Sequence, residues 1–266
     1  MHPLRLHLTV HYDGSEFHGW QFQPDRRTVQ GELQSAVSRL ADQPVSVTGS
    51  GRTDTGVHAV GQVAAVDLPE RWTADELRRA LNATLPGDVW IEAARRVASD
   101  FHPRFDAVAR TYRYQVGTDP LARSPFHHRT CWPVSDALDR ALLTAASETI
   151  LGAHSFEAFA KAGQPERGYD CRVAAAQWTD WALGLRFEIT ADRYLHHMVR
   201  YLVGTMVDIA RGRRPVKDMG LLLAKKADVT TSPPAPAEGL FLAHVEYPQS
   251  IEFVEPSPSV RSAATA

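Results

Sequence analysis

Cysteine is nearly absent from this sequence. Cys131 and Cys171 are the only two among 266 residues, they stand far apart, and neither belongs to a CxxC pair. That spacing argues against a disulfide framework and against a structural zinc site. Long apolar runs are missing too, since no stretch approaches the ~18 residues needed to cross a bilayer. The first residues lack the basic, apolar and small-residue succession of a secretion signal, so the expected compartment is the cytoplasm. A surplus of one charge is also lacking: 29 Lys and Arg stand against 31 Asp and Glu, for a formal net charge of −2. Bulk electrostatics therefore do not announce a nucleic-acid partner. Neither glycine-rich phosphate signature occurs, because "GSGRTDTGVH" has no Lys-Ser/Thr ending and no GxGxxG opens a helix.

What is present suits a globular protein with a substantial core, at 44% hydrophobic and 23% charged residues. Basic residues recur in small groups: Arg26 with Arg27, Arg78 with Arg79, Arg95 with Arg96, and Arg211, Arg213 and Arg214 in "RGRRP". Each alone reads as a solvated face. If an RNA binds, they are the expected source of phosphate contacts.

Periodicity gives an ordered series of elements. Leu6, Leu8, Val10 and Tyr12 alternate with polar residues as a strand. Thr28 caps a helix carrying Val29, Leu33, Val37 and Leu40. "VSVTG" and "VGQVAAVDL" are short strands on either side of the "GSGRTDTGVH" turn. Thr73 and Glu76 have capping-box spacing before a helix through Leu77, Leu81 and Leu85, and "DVWIEAARRV" closes the half as a strand.

The second half repeats the order. It runs from the strand "RTYRYQV" through a helix capped by Ser135, a hairpin, a helix with Met198, Leu202, Met206 and Ile209 on one stripe, and a final strand "LFLAHVEYP". A short helix is expected to start near Pro215. The expected fold is α+β: two ferredoxin-like βαββαβ halves, residues 1–107 and 108–248, with mainly antiparallel sheets packed into one body around a central cleft. Residues 249–266 lack periodicity and are expected to be disordered.

The turn between the first pair of strands holds the most chemistry. Gly49, Gly51 and Gly56 permit a tight exposed loop, and aspartate is common in such turns because its side chain bonds its own backbone. The other reading of Asp54 is functional. Arg52, two residues earlier, and a second arginine from elsewhere could hold its carboxylate in a bidentate grip, ready to act as nucleophile or base.

"GRTDTGVHA" resembles the signature of the TruA family of tRNA pseudouridine synthases. "YDGSEFHGWQFQP" with "TVQGEL", then "FHPRFDAVARTYRYQV", "HHMVRYLVG" and "AEGLFLAHVEYP" follow in the family's order and cover most of the chain. The resemblance implies that Asp54 is the catalytic carboxylate, that Tyr112 stacks on the target uracil, and that Arg200 is the basic partner of Asp54. It also implies a homodimer without metal or other cofactor, acting on uridines 38 to 40 of the tRNA anticodon arm. Asp192, Arg193, Tyr194 and His196 depart from the family's usual residues before "HMVR". Arg52 is read as an RNA-contacting or base-flipping residue, and His58 as either a turn cap or an RNA contact.

Forming pseudouridine breaks the uracil–ribose bond, turns the base and rejoins it through carbon. Departure of the base leaves positive character on the sugar, which a carboxylate can stabilise, attack, or relieve by taking a neighbouring proton. The target nucleotide must first leave its stack. Two other readings compete. A silent RNA-binding module of RRM type would need an RNP1-like string, and none appears. A metal hydrolase would use His127-His128 with His196-His197, but adjacent histidines on a strand or helix point apart, so no shared metal is expected.

Overall fold

The computed structural model describes residues 4–69, 72–161, 168–225, 228–251 and 253–254. In the first half, β1 (Leu4–Tyr12) turns Leu6, Leu8 and Val10 into the core, and α1 (Val29–Ala41) buries Val29, Leu33 and Val37. Thr28 caps α1 by accepting from Gly31 N. β2 (Val47–Gly49) and β3 (His58–Leu68) flank the aspartate-bearing loop. α2 (Ala74–Thr84) opens with the full capping box: Thr73 Oγ1 accepts from Glu76 N, and Glu76 accepts from Thr73 N. β4 (Val89–Val97) completes the half.

The second half contains β5 (Ala109–Gly117), β6 (Trp132–Pro133), α3 (Arg140–Glu148), β7 (Gly152–Ser155), β8 (Asp170–Trp181) and β9 (Gly184–Ala191). After them come α4 (Met198–Ala210), α5 (Asp218–Leu223), β10 (Leu240–Glu246) and β11 (Phe253–Val254). Met198, Leu202, Met206 and Ile209 are all buried on α4, and Gly212, at φ 71°, lies just beyond its end.

The strands form one mixed sheet, in the order β11-β4-β1-β3-β10-β5-β9-β8-β7, with β2 added to β3 and β6 to β5. Most neighbours are antiparallel. Each half keeps the same internal order, β4-β1-β3-β2 in the first and β10-β5-β9-β8 in the second. The expectation of two packed sheets is corrected by the join between them. β10 pairs in parallel with the start of β3, Phe241 opposite His58 and Leu242 opposite Ala59, so the halves meet edge to edge. Two open edges are satisfied at once, which removes exposed backbone donors and acceptors from both halves.

The core has two hydrophobic clusters. Leu242 belongs to the one packed with α1 and α2, and Leu240 to the one packed with α4. These residues lie two apart on β10 and therefore point to the same face. The two helical layers thus lie side by side over one face of the sheet, and Tyr112 on β5 packs against both.

Three details differ from the sequence reading. α3 is capped by Asp139, which accepts from Leu142 N, not by Ser135. Ser135 instead accepts from Arg123, and Asp136 is paired with Arg211 and Arg213, so this stretch is pinned as a connection ahead of the helix. The short strands β6 and β7 carry no alternation long enough to read. Beyond residue 248, Phe253 and Val254 pair with Val97 and Arg96 of β4, while the rest of the expected tail, residues 255–266, lies outside the described residues. Both cysteines are free and buried. Among the described residues no helix is long and apolar enough to cross a membrane.

Candidate active site

The loop from Ser50 to Val57 is tied down on every side of Asp54. Gln62 of β3 accepts from Ser50 Oγ and donates to Gly51 O, and Arg110 donates to Ser50 O at 3.0 Å. Thr53, buried next to Asp54, shares a 2.7 Å hydrogen bond with the Tyr12 hydroxyl, and its carbonyl accepts from Trp20 N. Gly19, at φ 86°, passes so close that a Cβ there would lie 2.5 Å from Thr53 O, so only glycine fits beneath the loop. Asp54 O accepts from Val57 N to close a turn, which leaves the carboxylate free to face the second half of the chain.

Across from it stands the start of α4. His196 Nε2 lies 3.2 Å from Asp54 Oδ1, His197 Nε2 lies 3.4 Å from Oδ2, and Arg200 Nη1 lies 4.0 Å from Oδ2. Arg200 is only 16% exposed and is fixed by its Nε, which donates to Ala235 O at 2.7 Å. The expected bidentate arginine grip is therefore corrected. One guanidinium stands at the limit of contact, two imidazoles stand closer, and Arg52 has another partner.

The histidines converge because they are not inside the helix. His197 is its N-cap in the left-handed region, φ 64°, and this backbone turn brings both rings to the carboxylate. The expectation that adjacent histidines diverge fails at this pair. Burial lowers the pKa of His197, with Arg200, His196 and Lys161 adding to the effect and Asp54 opposing it. A neutral imidazole results. Asp54 itself is 27% exposed and His196 54%, so solvent and ligands can reach the group from one side.

Tyr112 on β5 lies near enough to Asp54 for the carboxylate to act on its phenol. Its phenol is pushed up to about 12 by burial, which Arg110 opposes and the charge of Asp54 reinforces. It is thus a neutral hydroxyl on a flat ring, packed edge-on against Tyr194 at 4.7 Å between centroids. The Tyr194 hydroxyl reaches Ile189 O and Arg110 O at 2.8 and 3.0 Å. Asp192 accepts from Arg172 N, and Arg193 donates to Asp170 O and Gly168 O. Three of the four departures before "HMVR" are therefore engaged in local packing, and the fourth, His196, touches Asp54.

Arg52 is exposed and donates from Nε to Gln21 Oε1, 3.0 Å away. His58 is buried, stacked 4.6 Å from Phe241, with Nδ1 accepting from Gly14 N, which makes it a cap for the turn after β1. His127 and His128 lie in another turn, where His128 Nδ1 contacts Ser124 O. Several arginines expected on phosphates are engaged by carboxylates: Arg27 by Asp88 and Glu32, Arg78 and Arg79 by Asp75, Arg211 and Arg213 by Asp136, and Arg214 by Asp218. His196 and His197 were the residues sequence reasoning missed as partners of Asp54. The available signal was a histidine pair three residues ahead of Arg200, at the place where the helix begins.

A family model described as tRNA pseudouridine synthase matches residues 8–106 and 146–248. The first segment contains Asp54, the second contains His196 to Arg200, and Tyr112 falls between them. A tRNA pseudouridine synthase A of Chloroflexus aurantiacus is 40% identical over 256 residues, covering 94% of this chain and 91% of its own. That of Methylacidiphilum infernorum is 37% identical over 246 residues, covering 92% and 96%, and that of Bacteroides thetaiotaomicron is 36% identical over 265 residues, covering 97% and 96%. These matches take in both halves of the sheet, the aspartate loop and α4 together. The chain belongs to the TruA family of tRNA pseudouridine synthases, a family of isomerases.

Proposed function

We propose that this chain converts uridine to pseudouridine at positions 38 to 40 of the tRNA anticodon arm, with Asp54 acting at the ribose of a flipped-out nucleotide. The observation that carries the reading is the meeting of Asp54, from a loop of the first half, with Arg200 and Tyr112 from the second. On this reading residues 1–107 bring the catalytic loop and residues 108–248 bring the groups that face it.

The chemistry follows from these positions. As the glycosidic bond breaks, the sugar carbon gains positive character, and a carboxylate beside it lowers the barrier, whether by attack, by charge or by removing a neighbouring proton. Arg200 brings a guanidinium to 4.0 Å from Asp54 Oδ2, beside the reacting sugar. Tyr112 offers a face on which the freed uracil stays while it turns, so that carbon replaces nitrogen at the sugar. Arg52, exposed on the same loop, is read as contacting the RNA. The product is an isomer of the substrate, and the atoms balance without a redox partner.

The functional unit is read as a homodimer with one tRNA crossing both subunits. Phe105 and Phe126, 72% and 88% exposed, are surface that a partner would cover. Light scattering on the purified chain tests the dimer, and a monomer at all concentrations would remove it. The central test is tritium release from uracil-labelled tRNA. Asp54→Asn is expected to bind tRNA and release no label, and release at the wild-type rate would overturn the assignment.

A further inference from the structure

The grouping of Asp54, His196 and His197 has a chemistry of its own. Their donor atoms all lie within 4.8 Å of one another. His196 Nε2 stands 3.2 Å from Oδ1 and His197 Nε2 3.4 Å from Oδ2, each close to the edge of a tetrahedron around a zinc-class ion, and a turn of the carboxylate would present one oxygen to both imidazoles. With ~2.0–2.1 Å to nitrogen and ~2.0–2.2 Å to oxygen, that edge is about 3.3–3.5 Å. The imidazoles are inclined at 62° with centroids 4.3 Å apart, so they stand as two separate donors beside one carboxylate. Two imidazoles and a carboxylate suit borderline divalent cations such as Zn2+ and Co2+. The exposed side of His196 leaves an approach from solvent and room for a water as fourth ligand.

Opposing charge is the main counterweight. Arg200 Nη1 stands 4.0 Å from Asp54 Oδ2 and 3.5 Å from His197 Nε2, and Lys161 is near enough to act on His197. The contact between Arg200 Nη1 and His197 Nε2 is long, at 3.5 Å. Arg200 is held independently by its 2.7 Å bond to Ala235 O, so an entering cation displaces two long contacts and leaves the arginine anchored. The positive neighbours weaken such a site relative to a closed structural zinc centre.

We propose that Asp54, His196 and His197 form a binding site for a zinc-class divalent cation, and that its occupation withdraws Asp54 from the reaction. The inhibitory half rests on Asp54 being the catalytic carboxylate. The binding half does not.

The test uses untagged full-length protein and two readouts. In the first, Co2+ is titrated into wild type, Asp54→Asn, His196→Asn and His197→Asn, and the d–d absorption of tetrahedral Co2+ is followed. Wild type is expected to develop these bands and each variant to lose them. In the second, tritium release is measured with Zn2+ and again after EDTA. Wild type is expected to slow by roughly tenfold or more at saturating Zn2+ and to recover, while the rate of His196→Asn, whatever its metal-free value, is insensitive to Zn2+. Absence of bands in wild type, or bands that persist in all three variants, overturns the site. Zn2+ inhibition that survives in His196→Asn places the inhibition elsewhere and overturns the regulation. Activity of Asp54→Asn in metal-free buffer would remove the catalytic reading alone, because the Co2+ spectra report binding without it.

Discussion

Arg200 makes its strongest contact away from Asp54, through the 2.7 Å bond from Nε to Ala235 O. Arg200→Ala is therefore expected to cost about 1.5–3 kcal/mol, the range for a hydrogen bond involving a charged group. The ~3–5 kcal/mol of a broken buried ion pair is too much here, because Asp54 remains partly exposed and keeps two imidazoles. Urea unfolding measures the stability change, and tritium release should fall in the same variant; unchanged values of both would mean that neither contact matters. Tyr112 is a different case, since its contribution is a ring face. Tyr112→Leu is expected to lower kcat/KM by about 5- to 150-fold, the equivalent of ~1–3 kcal/mol of lost base stacking, and wild-type kinetics would rule the stacking role out. At this scale the sequence was readable where glycines mark a tight loop between two strands, as around Asp54, and unreadable where backbone conformation decides. Nothing in "HHMVR" announces that His197 takes φ 64° and swings two rings toward a loop far away in sequence.

Elements were more legible than residues because they follow from period and capping. The Thr73–Glu76 capping box, the Thr28 cap and the stripe on α4 all stand where hydrophobic spacing puts them. Ser135 shows the limit: a good cap residue loses its place when arginines from elsewhere hold its stretch of chain, and Asp139 starts α3 instead. The β3–β10 join was beyond reach, since it depends on which two edges meet and not on a pattern within either strand. Its weakest tolerance is at Gly61 of β3. A Cβ there would lie 2.1 Å from Ala243 O, a backbone atom of β10 with no rotamer to yield. Gly61→Ala is expected to destabilise by about 1–3 kcal/mol, as overpacking does, and to lower activity by shifting the aspartate loop. Thermal unfolding of the variant at the wild-type temperature would show the seam to be looser than its geometry states.

For the molecule as a whole, acid acts on the fold through a buried histidine. His7 of β1 points away from the helical layers, among Phe101, Tyr247 and Phe253, and burial lowers its pKa from 6.5 to about 4, with Arg95 adding to the effect. The folded protein therefore holds His7 neutral while the unfolded chain protonates it below 6.5. Its contribution is fully present above that pH and is lost as the pH falls from 6.5 toward 4, by about 3 kcal/mol at pH 4. His7→Phe should flatten this part of the acid limb, measured as urea midpoints at pH 7 and pH 4; an equal loss in both proteins would assign acid sensitivity to other groups. The parallel seam has a consequence for how the enzyme is made. Residues 58 and 59 leave the ribosome long before residues 241 and 242, roughly ten to forty seconds earlier at ~5–20 residues per second. Through that interval the nascent first half presents an unprotected strand margin, so a chain arrested before Leu240 is open to mispairing.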